Sequence, residues 1–302
     1  ASIAGTTVIC ENDPQPTITI TGANATAPYT FTYSVNGNNQ TIISTGNVAT
    51  ITTPNTPTGS VVYTLLSVRD SSPMACSQSQ SGGVTITINP LPAASISKAL
   101  TVCKDKSATV TFTGNNSTSP YTFTYLEDGV SKNITSTGDT ATIASTTNKP
   151  GLHTYSIVSI KDASSTGCNS PSTVSTTVLV LPLPTALISG DISVCRGDKA
   201  PMVHFAGKSS TAPYVFTYKE NNSPPILLNS SSPDSVADVS SSTTKTGIYT
   251  YELLKVTDAN NCEQAQSGKV SVTVIEVPLA SFTVDPEKTS VLEAMINITD
   301  TS

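Results

Sequence analysis

Pro28-Tyr29-Thr30-Phe31-Thr32-Tyr33 is a stretch that the chain spells twice more, at residues 120–125 and 213–218. Side chains alternate between the two faces of a strand, so both tyrosines and the phenylalanine of each copy share one face. The intervening Thr or Val falls on the other face. Each copy therefore predicts a half-buried strand with a continuous aromatic face, opened by a proline that donates no ladder hydrogen bond.

The cysteines follow the same period, which is close to 92 residues. The first cysteine of each repeat is Cys10, Cys103 or Cys195, and the second is Cys76, Cys168 or Cys262. One pair per repeat predicts one disulfide within each repeat, Cys10–Cys76, Cys103–Cys168 and Cys195–Cys262, and an oxidising compartment. Each bond would contribute about 4 kcal/mol by closing a long loop. Reduced cysteines or a metal site are the alternatives, but the spacing does not match metal ligands.

Short segments in which apolar and polar residues alternate surround the aromatic stretches and the cysteines, and no long helical pattern occurs. In each repeat one such segment ends at a glycine, which is Gly22 in the first repeat. The aromatic strand is followed by a hairpin dipeptide, Asn36-Gly37 in the first repeat and Asp128-Gly129 in the second. A Gly-to-Tyr step, as at residues 59–63, resembles a tyrosine corner. About seven strands per repeat predict an all-β fold of tandem immunoglobulin-like β-sandwich domains in a rod-like array. The predicted disulfide then joins the early edge of each domain to the loop before its last strand.

The chain length of 302 residues suits three domains of ordinary size. We predict immunoglobulin-like repeats at residues 1–91, 92–183 and 184–277, separated by joints in which closely spaced prolines favour extended, stiff geometry. Residues 278–302 resemble the first strands of a polycystic-kidney-disease (PKD) type β-sandwich, with a turn at Asp285-Pro286. Because the chain opens in phase with the repeat, we expect it to be part of a longer polypeptide.

Charge and hydropathy exclude several classes of partner. The formal net charge of −6 and the pI near 4.8 argue against nucleic acid and against an anionic membrane surface. No run of about 20 apolar residues is present, so no membrane span is predicted. The sequence given does not open with Met, and no signal peptide is predicted within it.

No catalytic constellation is visible in the sequence. His153 and His204 are the only histidines, and they occupy unmatched places in the repeats, so exposed surface positions are predicted for both. A nucleophile with a base and an orienting group, a phosphate-binding loop and a dinucleotide fingerprint are all missing. We therefore predict no enzyme activity, no cofactor and no metal. Paired carboxylates for glycosidic chemistry are not excluded by sequence, but the acidic residues are sparse.

Two motifs that contain an acidic residue can be interpreted either as local structure or as a binding site. Asp70, Asp162 and Asp258 each close the sixth strand, where an Asp commonly starts a turn; the sharper interpretation is a calcium site between domains. No Asp-x-Asp cluster accompanies them, which favours the turn. Arg196-Gly197-Asp198 is an integrin-type tripeptide, and its counterparts in the other repeats differ, which favours a chance match in a surface loop.

Asp139-Thr140-Ala141 and Asp234-Ser235-Val236 precede the fifth strand in the second and third repeats. They resemble the Asp-Ser/Thr-apolar sequence that periplasmic O-glycosylation systems of Bacteroidota modify. The resemblance implies glycans on Thr140 and Ser235.

The order of cysteine, alternating strand, Pro-Tyr-x-Phe-x-Tyr, Gly-x-x-x-Tyr, Val-x-Asp and Pro-Leu-Pro joint resembles the repetitive region of large surface proteins of gliding Bacteroidota, the SprB-type adhesins. The resemblance covers residues 1–277 and supplies no catalytic residue. It implies a cell-surface protein exported by the type IX system, with a role in attachment or gliding motility.

The first hypothesis for function is therefore a non-enzymatic stalk of an adhesin, secreted to the exterior of the outer membrane. Its partners would be an unknown surface or polysaccharide ligand outside residues 1–302, and the secretion or motility machinery. The alternative is a spacer or binding module of a secreted multidomain hydrolase. Direct sugar stacking by the repeats is disfavoured, because their aromatic residues lie on the predicted core face and Trp is absent.

Overall fold

The computed structural model describes residues 1–231, 234–285 and 295–301. Within these ranges the chain forms 28 strands and no helix. The all-β prediction is confirmed, and the strands build tandem immunoglobulin-like β-sandwiches.

The first repeat contributes a three-stranded sheet and a larger sheet. Its strands are β1 (Ser2–Ala4), β2 (Thr7–Cys10), β3 (Thr17–Thr21), β4 (Thr30–Val35), β5 (Asn38–Ile43), β6 (Val48–Thr52), β7 (Gly59–Arg69), β8 (Ser77–Ser79) and β9 (Gly83–Asn89). The small sheet has the order β1-β3-β6, and the large one has the order β2-β9-β7-β4-β5 with β8 beside β7.

The second repeat has the same plan. Its strands are β10 (Ala93–Ile96), β11 (Leu100–Cys103), β12 (Thr109–Asn115), β13 (Thr122–Glu127), β14 (Val130–Thr135), β15 (Thr140–Ala144), β16 (Gly151–Lys161), β17 (Asn169–Pro171) and β18 (Ser175–Leu181). The sheet orders are β10-β12-β15 and β11-β18-β16-β13-β14, with β17 beside β16.

The third repeat merges its last two strands into one. Its strands are β19 (Thr185–Ser189), β20 (Ile192–Cys195), β21 (Met202–Lys208), β22 (Val215–Glu220), β23 (Ile226–Asn229), β24 (Val236–Ser240), β25 (Gly247–Thr257) and β26 (Glu263–Ile275). After it, β27 (Phe282–Asp285) pairs antiparallel with β28 (Asn297–Asp300). The two predicted strands of the C-terminal segment are therefore present. Pro286 of the predicted turn lies outside the described residues, and the PKD-like assignment stays a prediction.

The strand count per repeat exceeds the predicted seven, because two short strands were missed in the first repeat. β1 adds an edge to the small sheet and β8 adds a short edge beside β7. In the other direction, the Gly-to-Tyr step at residues 59–63 and the predicted sixth strand after it form one continuous strand, β7, of 11 residues.

Backbone contacts group the chain into two compact units. The first comprises Ala1–Val102, Lys106–Thr147 and Leu152–Leu179, and the second comprises Cys103–Asp105, Asn148–Gly151 and Val180–Ser302. The division runs through the second repeat. The boundaries at residues 91, 183 and 277 therefore stay a prediction from the sequence period.

The aromatic strand forms the centre of the core in every repeat, as predicted. Tyr29, directly before β4, and Phe31 and Tyr33 within it are buried, while Thr30 and Thr32 on the opposite face are half-buried. The core of the first repeat joins these rings to the isoleucines of β3 in the other sheet and to β7 and β9. Side chains from both sheets meet in one core, which is the defining feature of a sandwich.

A glycine of the small sheet makes room for the first ring of each aromatic strand. A Cβ added at Gly22, Gly114 or Gly207 would lie within 2.5 Å of the facing tyrosine ring. No real Cβ approaches another heavy atom so closely, so a larger residue forces the ring or the strand to move.

We expect Gly114→Ala to destabilise the second repeat by about 1–3 kcal/mol, because the new methyl group overpacks a site held by the buried Tyr121. Denaturant unfolding followed by hydrogen exchange of β12 measures the loss. Gly138→Ala is the comparison, since its Cβ meets nothing within 4 Å and only its φ of +65° is unfavourable. Equal costs for the two variants would contradict the overpacking argument.

The first tyrosine of each aromatic strand is also held by hydrogen bonds at both ends. Its backbone N–H donates to a buried serine hydroxyl (Tyr29 to Ser44, Tyr121 to Ser136, Tyr214 to Ser230; 2.7–2.8 Å). Its own hydroxyl donates to the carbonyl four residues upstream, at 2.6–2.7 Å. This is the back-bonding of a tyrosine corner. The tyrosine of the Gly-to-Tyr step, where the sequence pattern predicts the corner, lies instead within β7.

The two predicted hairpin turns are confirmed. β4 and β5 pair directly around Asn36-Gly37, and β13 and β14 pair around Asp128-Gly129. All four turn residues have positive φ (48° to 87°), as a two-residue type I′ turn requires.

The edge strand β2 decides where the cysteines lie. It pairs parallel with β9, with Cys10 beside Asn89, whereas β7 runs antiparallel to β9 and starts beside the end of β9. Cys10 is therefore level with the start of β7, while Cys76 follows the end of β7. A strand of 11 residues is about 35 Å long. The two cysteines of one repeat thus lie at opposite ends of the same sheet.

Candidate functional site

Two disulfides connect neighbouring repeats, and they define the joints as the candidate functional sites. Cys10 is bonded to Cys168, and Cys103 is bonded to Cys262, with Cα–Cα distances of 5.6 and 5.5 Å. The predicted bonds Cys10–Cys76, Cys103–Cys168 and Cys195–Cys262 are therefore wrong. The physical reason is that the two cysteines of one repeat lie at opposite ends of the sheet, whereas a disulfide needs Cα atoms within about 7 Å of each other.

The first cysteine of one repeat thus meets the second cysteine of the next. The bonded pairs enclose 158 and 159 residues, against the 65 to 67 of the predicted pairs. Both sets of separations are equally regular, so the spacing alone did not distinguish them. Cys76 and Cys195 are free. The disulfides themselves agree with the predicted oxidising compartment.

Hydrogen bonds around Thr166 support the joint between the first two repeats. Its hydroxyl lies 3.2 Å from Sγ of Cys168 and 3.4 Å from Sγ of Cys10. It also accepts a hydrogen bond from the side-chain amide of Asn89, at 3.0 Å. The last residue of β9 is therefore bonded to the same loop as the disulfide.

The proline joint is held by a second group of polar atoms. The hydroxyl of Ser117 lies 3.1 Å from the carbonyl oxygen of Pro90 and within hydrogen-bond distance of Oδ2 of Asp162. Asp162 is buried, with 5% of its surface exposed. Sequence reasoning missed Thr166 and Ser117; the signal was the serine four residues before Tyr121, which recurs as Ser210 in the third repeat.

The recurring aspartates act as turn residues, which confirms the simpler interpretation. Oδ1 of Asp162 accepts hydrogen bonds from the backbone and side chain of Ser164 (3.2 and 2.8 Å). Oδ1 of Asp258 accepts from the backbone N–H groups of Asn260 and Cys262 (2.9 and 2.8 Å). Each carboxylate thereby orders the loop that carries the second cysteine. Among the described residues, no group of three or more His, Cys, Asp or Glu is arranged to hold a metal ion.

The Arg196-Gly197-Asp198 tripeptide is part of the turn after β20. The Asp198 carboxylate accepts a hydrogen bond from the backbone N–H of Cys195, at 2.8 Å, and Asp13 does the same for Cys10. Arg196 pairs with Glu276 at 2.9 Å. The tripeptide therefore performs the local structural role of its counterpart in the first repeat.

The two histidines differ in environment, and the prediction for one of them is wrong. His204 is exposed and lies 2.7 Å from Asp238. His153 is buried, with 9% of its surface exposed, because it precedes the buried Tyr155 by two residues and shares its face of β16. Its Nδ1 lies 2.7 Å from Oδ2 of Asp128.

The hydrogen bond from His153 lowers the pKa of Asp128 below its usual value, and the backbone N–H of Thr154 lowers it further. A lowered folded-state pKa gives stability that is present above the unfolded pKa, near 4, and is lost as the pH falls through the folded value. The hairpin of the second repeat should therefore weaken in acid.

We expect the variant Asp128→Asn to reduce this acid dependence, so that the urea midpoints of variant and wild type converge between about pH 5 and pH 2. The turn itself is kept, since Asn36 and Asn221 accept the equivalent backbone hydrogen bond, at 2.9 Å, in the other repeats. Exposed Asp139→Asn controls for the loss of one negative charge. An unchanged acid slope in Asp128→Asn would contradict the role of this carboxylate.

Thr140 and Ser235 lie near the predicted turn but not at equivalent places. Thr140 is exposed at the start of β15, whereas Ser235 is half-buried just before β24. The backbone register shows the offset, because Gly207 bonds the carbonyl of Ser235 whereas Gly114 bonds that of Asp139. The two motifs therefore precede the fifth strand, as predicted, but differ in backbone register by one residue. Glycosylation of either side chain stays a prediction.

The repeated aromatic residues offer no platform for a sugar ring, as predicted, because all nine aromatic-strand rings are buried in the cores. Separately, none of the described residues belongs to a helix long and apolar enough to span a bilayer.

Comparisons with known proteins give likenesses of fold. No protein-family model matches the chain, and no curated protein matches it. Among solved structures, the immunoglobulin domains 1–4 of Sidekick-1 are 15% identical, with 95% of this chain and 76% of that chain covered and a TM-score of 0.30. A marsupial T cell receptor is 10% identical, with 90% and 99% covered and a TM-score of 0.42.

A third similar structure is CBD12 from CALX1.2, which is 8% identical over 59% of this chain and 97% of that chain, with a TM-score of 0.25. Scores and identities this low carry no argument about function. The tandem immunoglobulin-like array is therefore established by the sheets and cores of the chain itself.

Proposed function

We propose that this chain is a non-enzymatic stalk segment of a secreted cell-surface adhesin that acts in surface attachment or gliding motility. The observation that carries the proposal is the pair of disulfides that bond each repeat to the next. A bond across a joint does not build a pocket or position a nucleophile. It restricts the movement of one domain against its neighbour, which is what a load-carrying array requires.

Three further features support a structural role. The first joint combines its disulfide with polar contacts, among them the hydrogen bond from the Ser117 hydroxyl to the carbonyl oxygen of Pro90. The rings of the aromatic strands are buried in the cores, where they stabilise the fold. The low content of charged residues, 12%, leaves few groups for electrostatic recognition of a partner. The ligand and the secretion or motility machinery are then contacted by other parts of the adhesin.

An in-frame deletion in the host tests the proposal, with antibody to this chain reporting surface exposure and with attachment to glass and colony spreading as readouts. Lost attachment or spreading, restored by the wild-type gene, is the expected result. A gene that carries Cys10→Ser/Cys168→Ser should restore attachment and spreading less well than the wild-type gene, when both proteins are present on the cell surface in equal amounts. The variant Ser131→Ala, on the exposed strand β14, is the matched control.

Normal attachment and spreading in the deletion strain, with surface label in the parent, would overturn the adhesin proposal. The secreted fraction should then be assayed for a lost hydrolase activity, since a spacer in a hydrolase is the remaining hypothesis. Mass spectrometry of the surface protein tests the glycan prediction in the same preparation. Unmodified Thr140 and Ser235 in native material would contradict it.

A further inference from the structure

The large sheet of each repeat ends in an edge strand, which is β5 in the first repeat, β14 in the second and β23 in the third. Among the described residues, each of these strands pairs with the aromatic strand alone. The backbone groups on its other side therefore lie on an open edge. Such groups form a template for another strand, so proteins commonly block an open edge with a lysine, a proline or a shortened strand.

One hydrogen bond shows which backbone groups of β5 are open. The N–H of Ser44, directly after the strand, donates to the carbonyl of Tyr29 at 2.8 Å and so points towards the aromatic strand. Backbone groups alternate in direction along a strand. The other even-numbered residues of β5 therefore bond to β4. The odd-numbered residues direct their N–H and C=O groups to the open edge, and they are Asn39, Thr41 and Ile43.

The edges of the second and third repeats are blocked at equivalent places. The residue that faces the last tyrosine of the aromatic strand is Gln40 on β5, Lys132 on β14 and Ile226 on β23. The second edge therefore carries a charged side chain, which is 47% exposed. The third edge has four residues instead of six, and Pro225 takes the place of Asn39, so no N–H is available there.

The edge strand of the first repeat has neither of these features. β5 is six residues long and contains no charged residue and no proline. Five of its side chains are exposed, and Ile42 is half-buried. Its last residue, Ile43, is 68% exposed on an apolar side chain. Of the three edges, this one is therefore the best suited to pair with another strand.

The open groups of β5 are complementary to those of a second copy of the same strand. In an antiparallel pair, two facing residues that both direct their groups towards each other exchange two backbone hydrogen bonds. A pair centred on Thr41 places Thr41 opposite Thr41 of the second copy, and Asn39 opposite Ile43 in both directions. Three facing pairs with two bonds each give six backbone hydrogen bonds, which use every open group of both strands.

We propose that β5 is a self-association edge, through which two copies of this chain pair antiparallel around Thr41. The contact is two-fold symmetric, so it closes at a dimer. It joins the large sheets of the two first repeats into one continuous sheet. No like charges face each other, and the central pair of threonines is a favourable cross-strand pair. This inference goes beyond the stalk function, and it holds whether or not the chain belongs to an adhesin.

The same register explains why a lysine blocks the second edge. In the proposed pair, Gln40 lies diagonally across from Gln40 of the second copy, at about 7–8 Å. Lys132 has the equivalent place on β14. Two copies of β14 in this register would therefore bring two ammonium groups close together, and their repulsion opposes pairing.

Sedimentation equilibrium of the full chain tests the proposal, in the background Cys76→Ser/Cys195→Ser that excludes disulfides between copies. This protein should form a reversible dimer as its concentration rises. Asn39→Pro introduces the residue of the third repeat and removes two of the six hydrogen bonds. It should weaken dimerisation about thirtyfold, at about 1 kcal/mol for each bond. Ser131→Pro is the matched control at the equivalent place on β14, and it should leave dimerisation unchanged.

A charge variant tests the same edge without removing a backbone N–H. Gln40→Lys introduces the residue of the second repeat, and it should weaken dimerisation at least about tenfold because the two lysines repel each other. Hydrogen exchange of the β4 amides reports whether each variant keeps its fold. If Asn39→Pro loses this protection, Gln40→Lys decides the test.

Single-cysteine variants in the same background test the register. Thr41→Cys places two thiols opposite each other at a Cα–Cα distance of about 5.5 Å, which suits a disulfide. In a glutathione redox buffer it should form a linked dimer at least about tenfold faster than Asn133→Cys, its equivalent on β14. Equal rates would overturn the proposal. So would a chain that stays monomeric up to about 1 mM, or a dimer that Gln40→Lys leaves unchanged.

Discussion

Replacing Phe112 by Ala should destabilise the second repeat by about 3–5 kcal/mol, the range found when a large buried aromatic is removed from a core. Phe112 is fully buried in the small sheet, and its ring contacts Phe123 and Tyr125 of the other sheet, at centroid distances of 5.7 and 4.8 Å. It faces Ala141 on β15, whose small side chain cannot fill the space. Hydrogen exchange of the β12 and β13 amides in increasing denaturant measures the loss.

Phe112→Ile is the matched control, because Ile20 occupies this place in the first repeat and faces the counterpart alanine, Ala49. The isoleucine variant should retain most of the stability that the alanine variant loses. If both variants lost the same amount, ring contacts would not be the source of stability at this position. A loss below about 1 kcal/mol in Phe112→Ala would contradict the assigned core, since such losses are typical of surface sites.

Removal of the second disulfide, in Cys103→Ser/Cys262→Ser, should cost on the order of 4–5 kcal/mol on the chain-entropy model, because the bond closes a loop of 159 residues in the unfolded chain. Calorimetric unfolding of the purified chain measures the change. The thermal transition of the third repeat should shift down in the variant. The same double variant should also lose protection from hydrogen exchange in the loop at Cys262.

Cys76→Ser/Cys195→Ser is the control with the same two changes, made at thiols that carry no bond in the single chain. It should unfold as the wild type does. Non-reducing peptide maps of monomeric chain should contain Cys10–Cys168 and Cys103–Cys262, with two thiols open to alkylation. Cys10–Cys76 peptides and no open thiol would restore the pairing within repeats and contradict the structure.

The fold of each repeat was predictable because its determinants are local. The alternation in residues 28–33 sets which face of β4 is buried, and the Asn-Gly and Asp-Gly dipeptides set the hairpins. Alternation also explains the missed burial of His153, which lies two residues before Tyr155 on the same face. The sequence therefore contains the signal for burial at residue 153, and the lack of a histidine at this place in the other repeats does not indicate a surface position.

The joints were not predictable in the same way. The pairing of the cysteines depends on the parallel alignment of β2 with β9, a contact between residues nearly 80 positions apart. Reversal of that one strand would bring Cys10 to the other end of the sheet, and no local pattern distinguishes the two directions. The same limitation explains the one-residue offset of Thr140 and Ser235, because backbone pairing in the small sheet sets that register.

The overlapping disulfides have a consequence when the chain is pulled from both ends. The shortest covalent route from Cys10 to Cys262 passes through the first disulfide to Cys168, follows the chain backwards to Cys103, and passes through the second disulfide to Cys262. Tension is therefore borne by the 65 residues between Cys103 and Cys168. Fully unravelled, these residues span about 220 Å, against roughly 860 Å for the uncrosslinked chain from Cys10 to Cys262. The bonds act as a tether that limits how far the chain can stretch, even after every sheet has been torn open.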